Sequence, residues 1–328
     1  MKKVLLLFIM LTVTTALNLS WAQLGVGQQM QNNSFNTWET ESGTSYSAPK
    51  YWHTINNATG TYAGSAASAD FVTQATGNNG TNCVKLTAVD KSVLFVTITA
   101  NGSISTGRFN AGAPSAGNTK NCTYTSTNSG YNQTMTAYPD SVYVWTKTSL
   151  ASSSEKARFN IVIHNNQKVN SSTNNPNNAV YQDPTPSSQS NSVVYTNSTT
   201  NNAKAVAKAE WNNNTGGNWV LQKVPFTYTN NGSTPSYILA TFSTNQTAGG
   251  GSPGDALYID DVVLIYNTRL ATLTVNGAGV DGFNADVTTY NYPTPFCEGV
   301  IPTVAGTCQS AHASTEIMHD PTVAEPYT

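Results

Sequence analysis

Seven runs of this sequence are built from Val, Ile, Thr and aromatic residues: VKLTAVD (84–90), SVLFVTITA (92–100), DSVYVWTKTS (140–149), ARFNIVIHN (157–165), NWVLQKVPFTYT (218–229), SYILATFSTN (236–245) and ALYIDDVVLIYN (256–267). Branched and aromatic side chains suit a pleated sheet, and clusters of Gly, Asn, Pro and Ser separate the runs as turns would. Only NNAKAVAKAEWN (201–212) has helical composition, and it is short. Parallel βαβ folds need long crossover helices, so they are excluded. The expectation is an all-β protein whose antiparallel strands form a two-sheet sandwich, a jelly roll. Two polar loops interrupt it, at 167–192 and at 245–255.

The last run raises a local problem. Strand side chains alternate between faces, so Asp260 and Asp261 should point to opposite sides of a sheet. One carboxylate would then face the interior, where an unpaired charge is costly.

Charged residues make up 10% of the chain, against roughly 25% in an ordinary soluble domain. The net charge is −2, which gives no electrostatic case for nucleic acid or an anionic membrane. Low charge with many Asn, Thr and aromatic residues suits an extracellular β protein. The N-terminus agrees. A basic MKK precedes the apolar VLLLFIMLTVTTA, and small residues at Ser20 and Ala22 offer cleavage after Ala22. No cysteine follows, so lipoprotein processing is not expected. The expectation is a signal peptide over 1–22 and an exported chain, secreted, periplasmic or on the cell surface, with no membrane span.

Four cysteines are present: Cys83, Cys122, Cys297 and Cys308. In an exported protein they allow two disulfides, and proximity favours Cys83–Cys122 and Cys297–Cys308; the alternative is buried free thiols.

After Tyr266 the pattern changes. Short strands expected at Ala271–Val275 and Thr288–Tyr292 flank a region of Gly, Asn and Asp. The segment L-x-x-L-T-V-N-G (270–277), followed by G-F-N-x5-Y (282–290), resembles the first hairpin of cadherin-like bacterial β-sandwich modules. Such modules need more strands than 268–328 supplies, so this part is expected to be an incomplete module and the chain a fragment of a longer protein. Upstream, MQNNSFNTWE (30–39), APKYWHT (48–54), SISTGRFN (103–110), YPDSVYVWTKT (138–148), NWVLQKVPFTY (218–228) and SPGDALYIDDVVLIY (252–266) occur in order. Together they resemble the carbohydrate metabolism domain of Bacteroidetes secreted proteins and, more distantly, jelly-roll carbohydrate-binding modules. The resemblance places one domain over 23–267.

The resemblance implies a structural Ca²⁺ between the first and last strands. Here Asp260 or Asp261 would join oxygens of Asn33, Ser34 or Asn36. Asn36 stands where those modules usually have Glu, so one ligand charge is missing. The alternative is a carboxylate satisfied by backbone N–H groups alone.

Glycan sites combine aromatic platforms with hydrogen-bonding side chains. In DSVYVWTK, Val142 and Val144 share one face; Tyr143, Trp145 and Lys147 share the other. If that second face is outward, it is a glycan platform; if covered, it is core. Trp211 and Trp219 flank the loop NNNTGG, a setting from which either could reach a ligand, although Trp219 is rather expected to start a strand and pack. An outward Arg108 could bind sugar hydroxyls, or be an ordinary surface charge.

Catalytic signatures are lacking. The glutamates before Tyr266 are Glu39, Glu41, Glu155 and Glu210; Glu39 and Glu41, two apart, could share a face, but no E-x-D-x-x-E strand of the kind found in jelly-roll glucanases is present. No G-x-S-x-G or H-E-x-x-H motif occurs, and His53 and His164 stand alone. The reading is a secreted, non-catalytic protein that binds a polysaccharide or glycoconjugate and supports carbohydrate metabolism. The alternatives are a structural or adhesin surface protein, and a glycoside hydrolase with an unrecognised carboxylate pair.

Overall fold

The computed structural model describes residues 27–93, 95–118, 120–126, 130–166, 179–184, 205–229, 232–290 and 302–317. Residues 27–264 form one compact unit, and the described residues from Ile265 onward form another.

A hairpin of β1 (Trp38–Thr40) and β2 (Ser47–Pro49) is followed by β3 (His53–Thr54), β4 (Val72–Thr76) and β5 (Asn82–Thr87). A second hairpin, β6 (Val89–Val93) and β7 (Val96–Ala100), leads to β8 (Ser103–Ser105), β9 (Arg108–Ala111), β10 (Asn121–Ser126) and β11 (Gln133–Thr134). Then come β12 (Ser141–Ser149), β13 (Ala157–His164), β14 (Ala179–Pro184) and β15 (Ala205–Asn213). The unit closes with β16 (Val220–Pro225), β17 (Thr227–Tyr228), β18 (Tyr237–Ser243) and β19 (Ala256–Ile265).

Two antiparallel sheets carry the core. One has the order β16-β12-β19-β5-β4; the other runs β17-β15-β13-β18-β8-β3, with β11 also on β18. Along the chain, β4 and β5 belong to the first sheet, β8 and β11 to the second, β12 to the first, β13 and β15 to the second, and β19 to the first. This repeated crossing makes the unit a jelly-roll β-sandwich, as expected from the sequence.

Strand alternation builds the interior. On β12, Val142, Val144, Thr146 and Thr148 are fully buried, while Tyr143, Trp145 and Lys147 between them are partly exposed. Val84, Leu86, Leu257 and Ile259 join them from β5 and β19. Facing them is a chain of rings, Phe35–Trp52–Phe242–Phe159–Trp211, with successive centroids 5.1, 6.0, 5.3 and 5.5 Å apart. Each such buried side chain contributes about 1.5–3 kcal/mol.

The run with helical composition is a strand where it is described. β15 pairs Ala207 with Ile163, Ala209 with Ile161 and Trp211 with Phe159. Small side chains opposite large ones let the sheet pack without a void. All eight residues of β13 are buried, so the second sheet is covered on both faces. Its outer cover includes the sheet β14-β10-β9; Thr123 Oγ1 lies 3.1 Å from Thr241 Oγ1 there.

In the other unit, β20 (Leu270–Val275) lies between β21 (Ala278–Gly279) and β22 (Val304–Cys308). β20 corresponds to the expected first strand. The expected second strand is not formed over 288–290, and its last residues lie outside those described. Instead, the Tyr290 hydroxyl accepts from Asn284 N–H and donates to Asn284 C=O, both at 2.6 Å, which explains the G-F-N-x5-Y spacing.

Candidate functional site

The two aspartates of β19 do not put a charge into the core. Asp261 has φ 46°, a left-handed conformation that Asp tolerates better than most residues. It acts as a bulge and shifts the phase of alternation. Before it, Leu257 and Ile259 are buried; after it, Val262 and Leu264 are. Asp260 therefore lies on the outer face with Tyr258, yet it is fully buried, beneath the turn at 77–81. Asn78 N–H donates to its Oδ2 at 2.9 Å. A Cβ at Gly77 would collide with this carboxylate, so the turn closes only over glycine. Oδ1 is buried with no hydrogen-bond partner among the described residues. Burial, then the neighbouring Asp261, pushes the Asp260 pKa up to about 6.

The residues expected to hold Ca²⁺ divide between two places. Asp260 faces Asn78. Asn33 instead brackets Val262: Val262 N–H donates to Asn33 C=O at 2.8 Å, and Asn33 Nδ2 donates to Val262 C=O at 3.2 Å. Asn36 Nδ2 donates to Ser34 Oγ at 3.0 Å. Among the described residues no three His, Cys, Asp or Glu side chains gather where they could hold a metal ion. Through Val262 the fold brings Asn33 to the residue that follows Asp261. A Ca²⁺ ion there would need most of its six to eight oxygens from backbone and water.

The outer face of the five-stranded sheet is where chemistry collects. Tyr143, Trp145 and Lys147 project from β12; Lys223 lies opposite Tyr143, and Leu221 opposite Trp145. Tyr258 on β19 lies opposite Lys85 on β5. Trp219, just before β16, meets Tyr258 edge-on at 6.3 Å between centroids. Lys147 Nζ sits between those two rings, 5.1 Å from the centroid of Trp219 and 4.1 Å from that of Tyr258. Lys223 Nζ lies 5.1 Å over Tyr143. Gly216 and Gly217 have φ 62° and 86° in the turn that delivers Trp219. Thr215 ties that turn to β12 by reciprocal bonds with Thr148, N–H to Oγ1 at 2.7 and 2.9 Å. Sequence reasoning left out Tyr258 and favoured a packing role for Trp219. The signal for Tyr258 was its strand parity with Asp260; Trp219 depends on a turn that no period reveals.

Two residues expected at a ligand site lie elsewhere. Trp211 is 9% exposed and stacks on Phe159, 20° between ring planes, so it is core. Arg108 on β9 donates to Asn57 C=O at 3.2 Å and Asn57 Oδ1 at 3.3 Å, with its guanidinium 4.4 Å over Tyr131. That position is structural, in a different sheet.

The expected Cys83–Cys122 disulfide is absent. Cys83 is a buried thiol on β5 of the five-stranded sheet, whereas Cys122 is on β10 of the outer cover. The chain changes sheet between them, which sequence proximity does not register. Cys297 lies outside the described residues, and with it the Cys297–Cys308 pairing.

Glu39 is exposed on β1, and the other three glutamates before Tyr266 occupy separate places. Buried Glu41 accepts from Thr54 N–H and Oγ1–H at 2.9 and 2.5 Å, Glu155 accepts from Gln246 N–H at 3.2 Å, and Glu210 pairs with Lys208 at 3.0 Å. A cavity of about 300 Å³ between the β1–β2 hairpin and edge strand β4 is lined by Trp38, Tyr46, Val72 and Gln74 among others, with no charged residue. No helix among the described residues is long and apolar enough to cross a membrane.

No model of a known protein family matches this sequence, and no curated protein matches it. Among solved structures, the chain is similar to a candidate glycoside hydrolase from Bacteroides vulgatus, with TM-score 0.43 and 15% identity, over 70% of this chain and 89% of that one. A candidate glycoside hydrolase from Bacteroides thetaiotaomicron matches with TM-score 0.44 and 16% identity, over 66% of this chain and 63% of that one. The family 11 carbohydrate-binding module of a cellulosomal cellulase from Clostridium thermocellum matches with TM-score 0.27 and 9% identity, over 60% of this chain and 80% of that one. These likenesses assign no residue of this chain a role.

Proposed function

We propose that this protein is a non-catalytic carbohydrate-binding protein of the cell exterior, and that the outer face of its five-stranded sheet is the glycan platform. One observation carries the reading. Tyr143 and Trp145 alternate with buried valines on a single strand and stand partly exposed beside Trp219 and Tyr258. Sugar rings present flat C–H faces that pack on aromatic rings, and the surrounding ammonium groups can donate to hydroxyls. A rigid strand is a good support, because the platform then needs little ordering on binding.

The test is a polysaccharide array probed with the exported chain and with a Tyr143→Ala/Trp145→Ala variant. Loss of the array signal in a variant with unchanged circular dichroism supports the platform. Undiminished binding by the folded variant moves the site elsewhere, first to the cavity at Trp38 and Tyr46.

A further inference from the structure

We infer that the glycan held on this face is acidic, carrying carboxylate or sulfate groups; the inference rests on the platform proposed above. Three lysines stand among its rings. Lys147 Nζ lies 4.1 Å from the Tyr258 centroid and 5.1 Å from that of Trp219; Lys223 Nζ lies 5.1 Å from that of Tyr143; Lys85 Nζ lies 5.8 Å from that of Tyr258. The other cation–ring contacts among the described residues, Lys50–Tyr51 and Arg108–Tyr131, are off this face. None of the three platform lysines is in an ion pair among the described residues. Of the two acids of β19, Asp260 is fully buried under its turn, and Asp261 beside it is partly exposed and in no ion pair among the described residues.

The cluster is unusual for this chain. Net charge is −2 and only 15 residues in all are Lys or Arg, yet three lysines gather on one aromatic face and none forms an ion pair among the described residues. Each ring holds its ammonium by the negative π face, which positions the cation without neutralising it. Lys147 is itself partly buried. Its charge is therefore less screened than a free surface lysine's. An incoming carboxylate or sulfate gains a charge-assisted hydrogen bond while the adjoining sugar ring stacks. Lys223 and Lys147 are separated by the level of four residues along β12, roughly 13 Å, so the face spans more than one sugar ring. The fit is to an oligosaccharide with repeated acidic groups.

The experiment measures binding of the exported chain to three immobilised sets: neutral polysaccharides, polyuronates and sulfated polysaccharides. It is run at about 0.05 M and about 0.5 M NaCl, with double-stranded DNA and phosphatidylserine vesicles as polyanion controls. Two variant sets accompany it, Lys85→Gln/Lys147→Gln/Lys223→Gln and the same positions changed to Arg. The expected result is binding to polyuronate or sulfated glycan that weakens with salt. The Gln set should lose roughly fivefold to tenfold per lysine, and the Arg set should retain binding. The polyuronate and sulfate arms identify which acid is recognised. Binding to neutral glycans alone, lost in Tyr143→Ala/Trp145→Ala, overturns the acidic inference and leaves the platform standing. Acidic-glycan binding unchanged in a folded Gln set overturns it as well. Equal affinity for DNA or vesicles overturns glycan selectivity. A blank across all glycans overturns both this inference and the platform.

Discussion

The backbone N–H of Asn78 donates to the buried carboxylate of Asp260 at 2.9 Å, a contact that favours the ionised form and only partly offsets the cost of burying it. Burial leads, with Asp261 adding to it, in raising the Asp260 pKa from 3.8 to about 6. A raised acid pKa means that the folded state keeps its proton to higher pH than the unfolded chain. Its contribution to stability is therefore full below about pH 4 and is lost as pH rises through about 6. Asp260→Asn removes the charge and keeps an acceptor for Asn78. The variant should be more stable than the parent at neutral pH, by on the order of 1–3 kcal/mol, and lack the decline between pH 4 and 6. Urea midpoints measured across that range check it; parallel pH profiles for parent and variant would refute it.

His164 works in the opposite direction over an overlapping window. It is fully buried, with Nδ1 2.7 Å from Asn165 C=O and Nε2 2.9 Å from Thr125 Oγ1. The Nδ1–H tautomer satisfies both contacts: Nδ1–H donates to the carbonyl and Nε2 accepts from the hydroxyl. Burial lowers its pKa from 6.5 to about 4. The unfolded chain takes up this proton first, so stability is full above about pH 6.5 and falls as pH drops through about 4. An imidazole NMR titration should show His164 neutral at pH 5. Thr125→Val removes the hydroxyl that bonds Nε2 and should cost about 1–3 kcal/mol at neutral pH. Titration of His164 near 6.5 in the folded protein would contradict the assignment.

Trp211 is a packing residue, and its removal should say so. Its ring stacks on Phe159 at 5.5 Å and ends the aromatic chain through the core. Trp211→Ala should destabilise the unit by about 3 kcal/mol, a fall of roughly 6–12 °C in Tm for a domain of this size. Glycan affinity measured well below Tm should not change. A selective loss of binding with unchanged Tm would return Trp211 to the ligand site.

The sequence carried the sandwich and one face of the site because both follow from period two. In 141–149 a single buried face fixes register, and a one-residue slip would bury Tyr143, Trp145 and Lys147 instead. Composition misled at 205–213, where Ala, Lys and Glu suggest a helix. There the decisive fact is tertiary: Ala207 and Ala209 are needed small, opposite Ile163 and Ile161. Alternation also misled at the paired aspartates. It requires one of them to face inward, and the positive φ of Asp261 removes that requirement. Trp219 and the cysteines depend on turns and on sheet changes between distant strands, neither of which leaves a periodic trace.

The cysteines give the sharpest chemical check on the strand assignment. Cys83 is fully buried, next to Ala75 across the β4–β5 pair. Burial leads in pushing its thiol up to about 12, Asp260 adds to that, and Lys147 opposes it. Thiolate is the reactive form, so Cys83 has neither the ionisation nor the access for disulfide exchange. Cys122 is 1% exposed on a different sheet. In the native protein at about pH 8, neither should be modified by a thiol-reactive disulfide reagent, and both should react once the chain is unfolded. Peptide mapping without reductant should recover Cys83 and Cys122 in separate peptides. A Cys83–Cys122 cross-linked peptide would require β5 and β10 to come together, and the sheet order β16-β12-β19-β5-β4 would be wrong at its β5 side.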